Sequence, residues 1–141
     1  MTSAANIRPI RVLLVDDHGI VREGLRAYLE LESDIDVVGE ARDGQEAVRR
    51  AQELQPDVVL MDLEMPVLDG YAAARLMKEA LPSCRIIALS IHEDAASRQK
   101  SVRAGMDSFV SKAAHLQEVL DAIRAAGRSP NSIATDEGER S

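Results

Sequence analysis

The stretch that decides the fold is residues 57–66, Asp-Val-Val-Leu-Met-Asp-Leu-Glu-Met-Pro. An apolar run containing the β-branched residues Val58 and Val59 leads directly into Asp62, and Pro66 prevents regular structure from continuing. Such a run is typical of a strand that is buried on both faces, as in a parallel sheet. Asp62 would then lie at the carboxyl edge of the sheet, where open α/β folds bind ligands. From this stretch alone, Asp62 is either a reactive carboxylate or the residue that opens a turn before Pro66.

Composition narrows the class of protein. The 141 residues suffice for one well-buried core, with 45% apolar and 29% charged residues. The net charge of −7 argues against binding of nucleic acid by this chain itself, because that requires a basic surface. The single cysteine, Cys84, excludes an intramolecular disulfide and fits a reducing compartment. No apolar run approaches membrane-spanning length and no signal peptide pattern is present, so we expect a cytoplasmic protein without a membrane partner.

Four further strands are predicted around the central one. They are Ile10–Val15, Ile35–Val38 or slightly beyond, Arg85–Ser90 and Ser108–Val110. Segments of helical periodicity alternate with these strands, which predicts a parallel sheet with helices on both faces. Residues 1–9 and 127–141 are predicted to be flexible, and residues 10–126 form the predicted domain.

The predicted helices differ in the strength of their apolar stripe. In the first, Ile20, Val21, Gly24, Leu25, Tyr28 and Leu29 recur at helical spacing. The second begins at Asp43 with Glu46 three residues later, which is a capping-box spacing. The fourth, within residues 93–105, is polar and has the thinnest stripe. We therefore expect it to be the least firmly packed helix.

Polar side chains follow four of the five strands. These are Asp16 and Asp17 after the first, Asp62 at the third, Ser90 at the fourth and Lys112 after the fifth. Right-handed crossovers place the carboxyl ends of all five strands at one edge, so these groups should converge. Each residue has an ordinary explanation by itself, such as a cap, a turn or a solvated lysine. Their coincidence at four strand ends favours a functional site.

The chemistry of this site follows from its charges. Three clustered carboxylates repel one another unless a cation lies among them, and hard oxygen ligands suit Mg²⁺. An aspartate carboxylate can also attack phosphorus and form an acyl phosphate. A lysine would stabilise the phosphoryl charge, and a hydroxyl would donate a hydrogen bond to a phosphoryl oxygen. The residue types therefore predict magnesium-dependent phosphoryl transfer to an aspartate.

Four ordered motifs resemble the receiver domain of two-component response regulators. They are Val15-Asp16-Asp17-His18, residues 61–70, Ala88-Leu89-Ser90 and Phe109-Val110-Ser111-Lys112, and the similarity covers about residues 10–126. The resemblance implies a flavodoxin-like (CheY-like), doubly wound α/β fold with five parallel strands in the order 2-1-3-4-5 and five helices. Periodicity alone cannot give that order.

The resemblance also implies a role for each site residue. Asp62 would accept a phosphoryl group from a sensor histidine kinase or a phosphotransfer protein, and Ser90 and Lys112 would contact that group. The Mg²⁺ ligands would be Asp17, Asp62 and the backbone carbonyl of Glu64, with Asp16 holding the ion partly through water. The chain would be a signalling phosphoacceptor that catalyses only its own phosphotransfer and dephosphorylation, not an enzyme of metabolism.

In this picture, Ser90 and Phe109 form a switch. Ser90 would move toward the phosphoryl oxygen and Phe109 would move inward, which biases the face built by the fourth helix, fifth strand and fifth helix. The expected output is control of a partner or homodimerisation on phosphorylation. Ser90 stands where threonine is commoner and Phe109 where tyrosine is frequent, and an ordinary core aromatic remains the alternative for Phe109. Glu64 and His92 lie two residues after Asp62 and Ser90, so they either tune hydrolysis of the acyl phosphate or are solvated residues at the rim.

The stretches 16–25 and 90–93 are most similar to receivers that carry a C-terminal LuxR-type helix-turn-helix, which implies transcription regulation when that domain is attached. Because residues 127–141 are acidic and polar, we expect either a piece cut before such a domain or a free-standing phosphorelay receiver.

Three other classes remain as alternatives. One is a Mg²⁺-dependent phosphohydrolase with an aspartate nucleophile, although position 64 is not the aspartate it would need. Another is a flavodoxin-like cofactor carrier, and the last is a receiver that works without phosphorylation.

Overall fold

The computed structural model describes residues 8–65, 68–92 and 94–128. Five parallel strands form one sheet in the order β2-β1-β3-β4-β5, as the resemblance predicted. The strands are β1 Ile10–Val15, β2 Ile35–Ala41, β3 Val58–Asp62, β4 Arg85–Ser90 and β5 Ser108–Ser111. The helices are α1 Gly19–Leu29, α2 Gly44–Leu54, α3 Gly70–Ala80, α4 Ala95–Arg103 and α5 Leu116–Gly127.

The side chains of β1 show why helices cover both faces of the sheet. Leu13 and Val15 belong to one apolar cluster, which contains residues of α2 and α3. Val12 and Leu14 belong to a second cluster, which contains residues of α1 and α5. Successive side chains of a strand point to opposite faces, so a continuous apolar run supplies both clusters. The two layers hold the strand ends in fixed positions relative to one another.

The start of α2 lies close to the carboxyl edge. The Asp43 carboxylate caps α2 by accepting from the N–H of Glu46 at 2.8 Å, as predicted. The second half of the predicted capping box is wrong, because the Glu46 carboxylate accepts from the N–H of Arg42 instead. At Gly44 the backbone passes so close to the β3–α3 loop that an added Cβ would lie 2.0 Å from the carbonyl oxygen of Leu68. This contact fixes the loop that follows Asp62.

The structure defines the end of β2 and corrects the apolar stripe predicted for α1. Strand β2 extends to Ala41, slightly beyond Val38 as the prediction allowed, because its pairing with β1 continues after a register shift between Val12 and Leu13. Ile20 and Val21 are 84% and 44% exposed, although the periodicity predicted an apolar stripe from them. They lie in the first turn of α1, and only the later residues Leu25 and Leu29 are buried against the sheet.

The fourth helix is as thinly packed as its sequence indicated. Of the nine residues of α4, only Ser101 is buried, and Val102 is 71% exposed. The helix is also held by two cation–π contacts: Lys100 Nζ lies 4.3 Å from the Tyr71 ring centroid, and Arg98 Cζ lies 4.5 Å from that of Phe109. Polar contacts therefore contribute much of the attachment of α4.

The ends of the predicted domain fall partly outside the described residues. Residues 1–7 and 129–141, together with Pro66, Val67 and Glu93, are not described. Arg8 makes two hydrogen bonds to the Asp57 carboxylate, at 2.8 and 3.0 Å, although it lies in the predicted flexible N-terminus. Helix α5 includes Gly127, one residue beyond the predicted boundary. Among the described residues, no helix is long and apolar enough to cross a membrane.

Candidate functional site

The strand ends bring the predicted site residues together at the carboxyl edge. Asp16 follows β1 directly, Asp62 and Ser90 are the last residues of β3 and β4, and Lys112 follows β5. Asp16, Asp62 and Ser90 are each at most 1% exposed. Buried polar groups at adjacent strand ends of a parallel sheet form the kind of edge where α/β proteins bind ligands.

Lys112 forms the main charged contact of Asp62. Its Nζ lies 2.9 Å from Asp62 Oδ1, and the same oxygen accepts the N–H of Glu64 at 3.0 Å. Burial raises the pKa of the Asp62 carboxyl, and the charge of Asp16 adds to this, while Lys112 and the Glu64 N–H oppose it. Burial lowers the pKa of Lys112, but the hydrogen bond and charge of Asp62 outweigh it, so the net pKa is raised. The pair therefore holds a carboxylate and an ammonium in contact inside the fold.

An acidic cluster next to this pair is suited to a divalent cation. Ligand atoms of Asp16, Asp17, His18 and Asp62 lie within 4.8 Å of one another. The Oδ2 atoms of Asp16 and Asp62 are buried and have no hydrogen-bond partner among the described residues. Unpartnered buried carboxylate oxygens are costly, and a hard cation such as Mg²⁺ would satisfy them. The residues present therefore fit a magnesium ion.

His18 is a member of this cluster that the sequence did not single out. Its Nδ1 lies 3.1 Å from Asp17 Oδ1 and 3.3 Å from Asp16 Oδ1, and its N–H donates to Asp16 Oδ1 at 2.8 Å. The ring is 66% exposed. Its place directly after two aspartates at a strand end was the available signal, but that position alone does not distinguish it from a surface histidine.

Arg22 of α1 contacts the backbone of the acidic cluster, and the sequence did not identify it either. Its Nη1 donates to the backbone oxygen of Asp16 at 2.6 Å, and its Nε donates to Glu40 at 2.9 Å. Glu40, on β2, also accepts from Arg26 at 2.6 Å. These contacts join α1, β1 and β2 behind the acidic residues, so they fix the direction of the loop that carries Asp16 and Asp17.

The Glu64 side chain lies inside the site, whereas His92 lies at its rim. Glu64 Oε2 accepts from Ser90 Oγ at 2.9 Å, and its Oε1 is 3.9 Å from Lys112 Nζ. His92 is exposed, and its backbone N–H donates to Ser90 Oγ at 2.9 Å. The two candidate tuning residues therefore differ: Glu64 contacts the other groups through its side chain, His92 through its backbone.

The second predicted switch residue, Phe109, is half-buried on β5. Its ring packs against the first apolar cluster on one side and lies under the Arg98 guanidinium on the other. Phe109 therefore connects β5, the strand that pairs with β4, to α4, and its role in a switch stays a prediction.

A profile of the family described as "Response regulator receiver domain" matches residues 12–124. The chain belongs to this family. Among curated relatives, this receiver domain is 47% identical over 119 residues to the transcriptional regulatory protein LiaR of Bacillus subtilis. It is 40% identical over 116 residues to the response regulator protein VraR of Staphylococcus saprophyticus. The matches cover 84% and 82% of this chain and 56% of each relative, so the chain spans about half the length of these relatives.

Solved receiver domains share the fold. The response regulator domain of Thermotoga maritima CheB is 38% identical, with a TM-score of 0.79, and the match covers 85% of this chain and 97% of that one. The signal receiver domain of the putative response regulator NarL from Mycobacterium tuberculosis is 32% identical, with a TM-score of 0.82 over 86% and 98% of the two chains. A LuxR-family response regulator from Aurantimonas is 38% identical, with a TM-score of 0.81 over 84% and 85%. The fold and the subfamily agree with the resemblance seen in the sequence.

Proposed function

We propose that this receiver domain accepts a phosphoryl group on Asp62 from a phosphorylated histidine of a sensor kinase or phosphotransfer protein. The observation that carries the proposal is the buried Asp62 carboxylate, held at 2.9 Å by Lys112 and next to an acidic cluster with unpartnered oxygens. An Asp62 oxygen attacks phosphorus, the phosphorus–nitrogen bond of the donor breaks, and a phosphorus–oxygen bond forms. The histidine leaves with its electron pair, and Asp62 becomes an acyl phosphate.

The residues around Asp62 have separate tasks in this transfer. Lys112 neutralises charge on the phosphoryl oxygens, and the Ser90 hydroxyl donates a hydrogen bond to one of them. Asp16, Asp17, Asp62 and the backbone carbonyl of Glu64 would hold Mg²⁺, with Asp16 acting partly through water. Bound there, Mg²⁺ supplies positive charge that stabilises the transferring phosphoryl group. The buried strand ends keep these groups in a fixed arrangement, so little reorganisation is needed during transfer.

An apolar groove beside the site favours a protein as the donor. A cavity of about 380 Å³ lies next to Asp16 and Lys112 and is lined by exposed Ile20, Val21 and Leu116. Exposed apolar residues around a reactive group are typical of a surface that a protein partner covers. We expect Ile20→Ser to slow transfer from a phosphorylated histidine phosphotransfer domain and to leave the reaction with acetyl phosphate unchanged.

The output proposed here is a change on the face formed by α4, β5 and α5. On phosphorylation, the Ser90 hydroxyl would move toward a phosphoryl oxygen and the Phe109 ring would move inward. Phe109 packs under Arg98 of α4, so this movement would reach the helix. A thinly packed helix is the kind of element that such a switch can displace. In a longer protein this face would control dimerisation or an attached DNA-binding domain. The LiaR relative is named a transcriptional regulatory protein, which is consistent with such an output.

The direct test of phosphorylation is intact-mass measurement after incubation with Mg²⁺ and acetyl phosphate. Wild type should gain one phosphoryl group, and Asp62→Asn should gain none. Asp57→Asn, which changes a carboxylate at the opposite end of β3, is the matched control and should still be phosphorylated. An adduct of equal yield on Asp62→Asn, or no adduct on wild type, would refute the proposal.

We also propose that Glu64 influences how fast water attacks the acyl phosphate, because its carboxylate lies beside Ser90 and Lys112. Glu64→Ala should change the decay rate of the phosphorylated protein. His92→Ala tests the rim residue in the same assay. If the phosphorylated forms of both variants decay at the wild-type rate, neither residue tunes hydrolysis of the acyl phosphate.

A further inference from the structure

The Glu64 carboxylate lies between the two groups that would bind the phosphoryl oxygens. Oε2 accepts the Ser90 hydroxyl at 2.9 Å, and Oε1 is 3.9 Å from Lys112 Nζ. Oε1 is buried and has no hydrogen-bond partner among the described residues. A negatively charged group therefore already lies beside the hydroxyl and the ammonium before any phosphoryl group arrives.

We propose that Glu64 is an internal anion that occupies the phosphoryl subsite of the resting protein and must leave before a phosphoryl group can bind there. This inference rests on the roles proposed above for Ser90 and Lys112. A serine hydroxyl has one hydrogen to donate, so Ser90 can serve Glu64 or a phosphoryl oxygen but not both. The carboxylate and the phosphoryl group consequently compete for the same donor.

The backbone of Glu64 explains how the side chain stays in this place. Its N–H donates to Asp62 Oδ1 at 3.0 Å, so the residue is attached to the proposed phosphoacceptor itself. From that fixed point, the two methylene groups of glutamate carry the carboxylate across to Ser90 Oγ. Aspartate at the same position keeps the charge but is one methylene shorter, so its carboxylate falls short of the hydroxyl.

The contact with Glu64 also determines the orientation of the Ser90 hydroxyl in the unphosphorylated protein. Ser90 Oγ accepts the N–H of His92 at 2.9 Å and donates to Glu64. The hydroxyl is therefore turned toward the site before phosphorylation. At Ser90, phosphorylation would therefore exchange one charged acceptor, the Glu64 carboxylate, for another, a phosphoryl oxygen.

Binding of inorganic phosphate in the presence of Mg²⁺ tests occupancy without any phosphoryl transfer. Dissociation constants are measured by NMR titration, following the amide signals of His92 and Lys112, for wild type, Glu64→Gln, Glu64→Asp and Glu79→Gln. Glu79 is an exposed residue of α3 and provides the matched loss of one surface charge. Equal melting temperatures of the four proteins establish that they are comparably folded.

Both Glu64 variants should bind phosphate at least about tenfold more tightly than wild type, because a hydrogen bond to a charged group is worth roughly one to two factors of ten. Glu79→Gln should bind as wild type does. If Glu64→Gln gains affinity but Glu64→Asp does not, charge alone is responsible and occupancy is refuted. Unchanged affinity, or no detectable binding in either variant, also overturns the inference. Failure of Asp62 phosphorylation would appear separately, in the mass measurement.

Discussion

Replacing Asp16 by asparagine removes one of two buried negative charges that face each other across the site. Asp16 and Asp62 are 1% and 0% exposed, and each has an oxygen without a hydrogen-bond partner in the described structure. Asparagine keeps an oxygen that can accept the N–H of His18, which Asp16 Oδ1 accepts at 2.8 Å. The variant should therefore lose repulsion in the folded state while keeping the hydrogen bond that shapes the loop.

The size of the effect follows from the separation of the charges. Ligand oxygens of Asp16 and Asp62 lie within 4.8 Å of each other. At an effective dielectric constant of about 20, two unit charges at this distance repel by about 3.5 kcal/mol. Asp16 also attracts Lys112, and losing that attraction offsets part of the gain. We expect Asp16→Asn to raise the free energy of unfolding by about 1–3 kcal/mol, since the opposing terms partly cancel.

Thermal unfolding in EDTA and in Mg²⁺ measures both parts of this prediction. In EDTA, Asp16→Asn should melt roughly 4–10 °C above wild type, given the melting entropy of a domain of this size. Mg²⁺ at 100 times its dissociation constant should stabilise wild type by about 2.7 kcal/mol, and the variant by clearly less. Asp36→Asn, an exposed position on β2, carries the same change in charge and should stay within about 0.5 kcal/mol of wild type.

Two results would refute the reasoning. If Asp16→Asn melts below wild type in EDTA, the Asp16 carboxylate is stabilised by a contact that outweighs its repulsion with Asp62. If Mg²⁺ raises the melting temperature of both proteins equally, Asp16 is not needed for the cation.

The other predictions concern the fold around the site. Gly44→Ala should lower the free energy of unfolding by about 1–3 kcal/mol, because its Cβ would overlap the β3–α3 loop. Gly24→Ala is the matched control within a helix. Its Cβ would have nothing within 4 Å, so the higher helix propensity of alanine should raise the free energy of unfolding by about 0.5–1 kcal/mol. Burial raises the pKa of the Cys84 thiol to about 11, so native protein at pH 8 should react with iodoacetamide far more slowly than urea-unfolded protein. The hydrogen bond from Arg124 holds the pKa of Asp34 below its usual range, so its contribution to stability should be present above about pH 4 and lost as the pH falls further. Arg124→Ala should reduce the difference in unfolding free energy between pH 6 and pH 3.

Urea titrations test the predictions for the glycine and Arg124 variants, and alkylation kinetics test the prediction for Cys84. A Gly44→Ala protein as stable as wild type would show that the loop yields without cost. Equal alkylation of native and unfolded Cys84 would mean that the thiol is accessible in the folded protein. An Arg124→Ala variant with the acid sensitivity of wild type would assign the loss of stability at low pH to other carboxylates.

The sequence predicted the elements and the converging strand ends because both depend on local pattern and on a general rule of handedness. The continuous apolar run before Asp62 is buried on both faces only if helices cover both sides of the sheet. Right-handed crossovers then place Asp16, Ser90 and Lys112 at the same edge as Asp62. The strand order required the family resemblance, since periodicity gives the elements and not their neighbours.

The contacts that the sequence did not predict depend on the conformation of individual side chains. The contact between Glu64 and Ser90 joins residues far apart in sequence through one particular side-chain conformation, which no pattern encodes. The contacts of His18 and Arg22 with the acidic residues and their supports also depend on side-chain conformation, so these two residues were missed as well. Helical spacing identified the apolar face of α1 correctly, but it could not show that the turn with Ile20 extends beyond the sheet that buries Leu25 and Leu29.

The composition of the α4 contacts has a consequence for the heat capacity of the protein. Because Ser101 is the only buried residue of this helix, and because Arg98 and Lys100 hold it through aromatic rings, moving α4 aside uncovers little apolar surface. The heat-capacity change of a conformational transition scales with the apolar surface it exposes. A shift of α4 should therefore have a nearly temperature-independent enthalpy, unlike unfolding of the whole domain. Its equilibrium should follow a straight van't Hoff line over the temperatures at which the domain is folded.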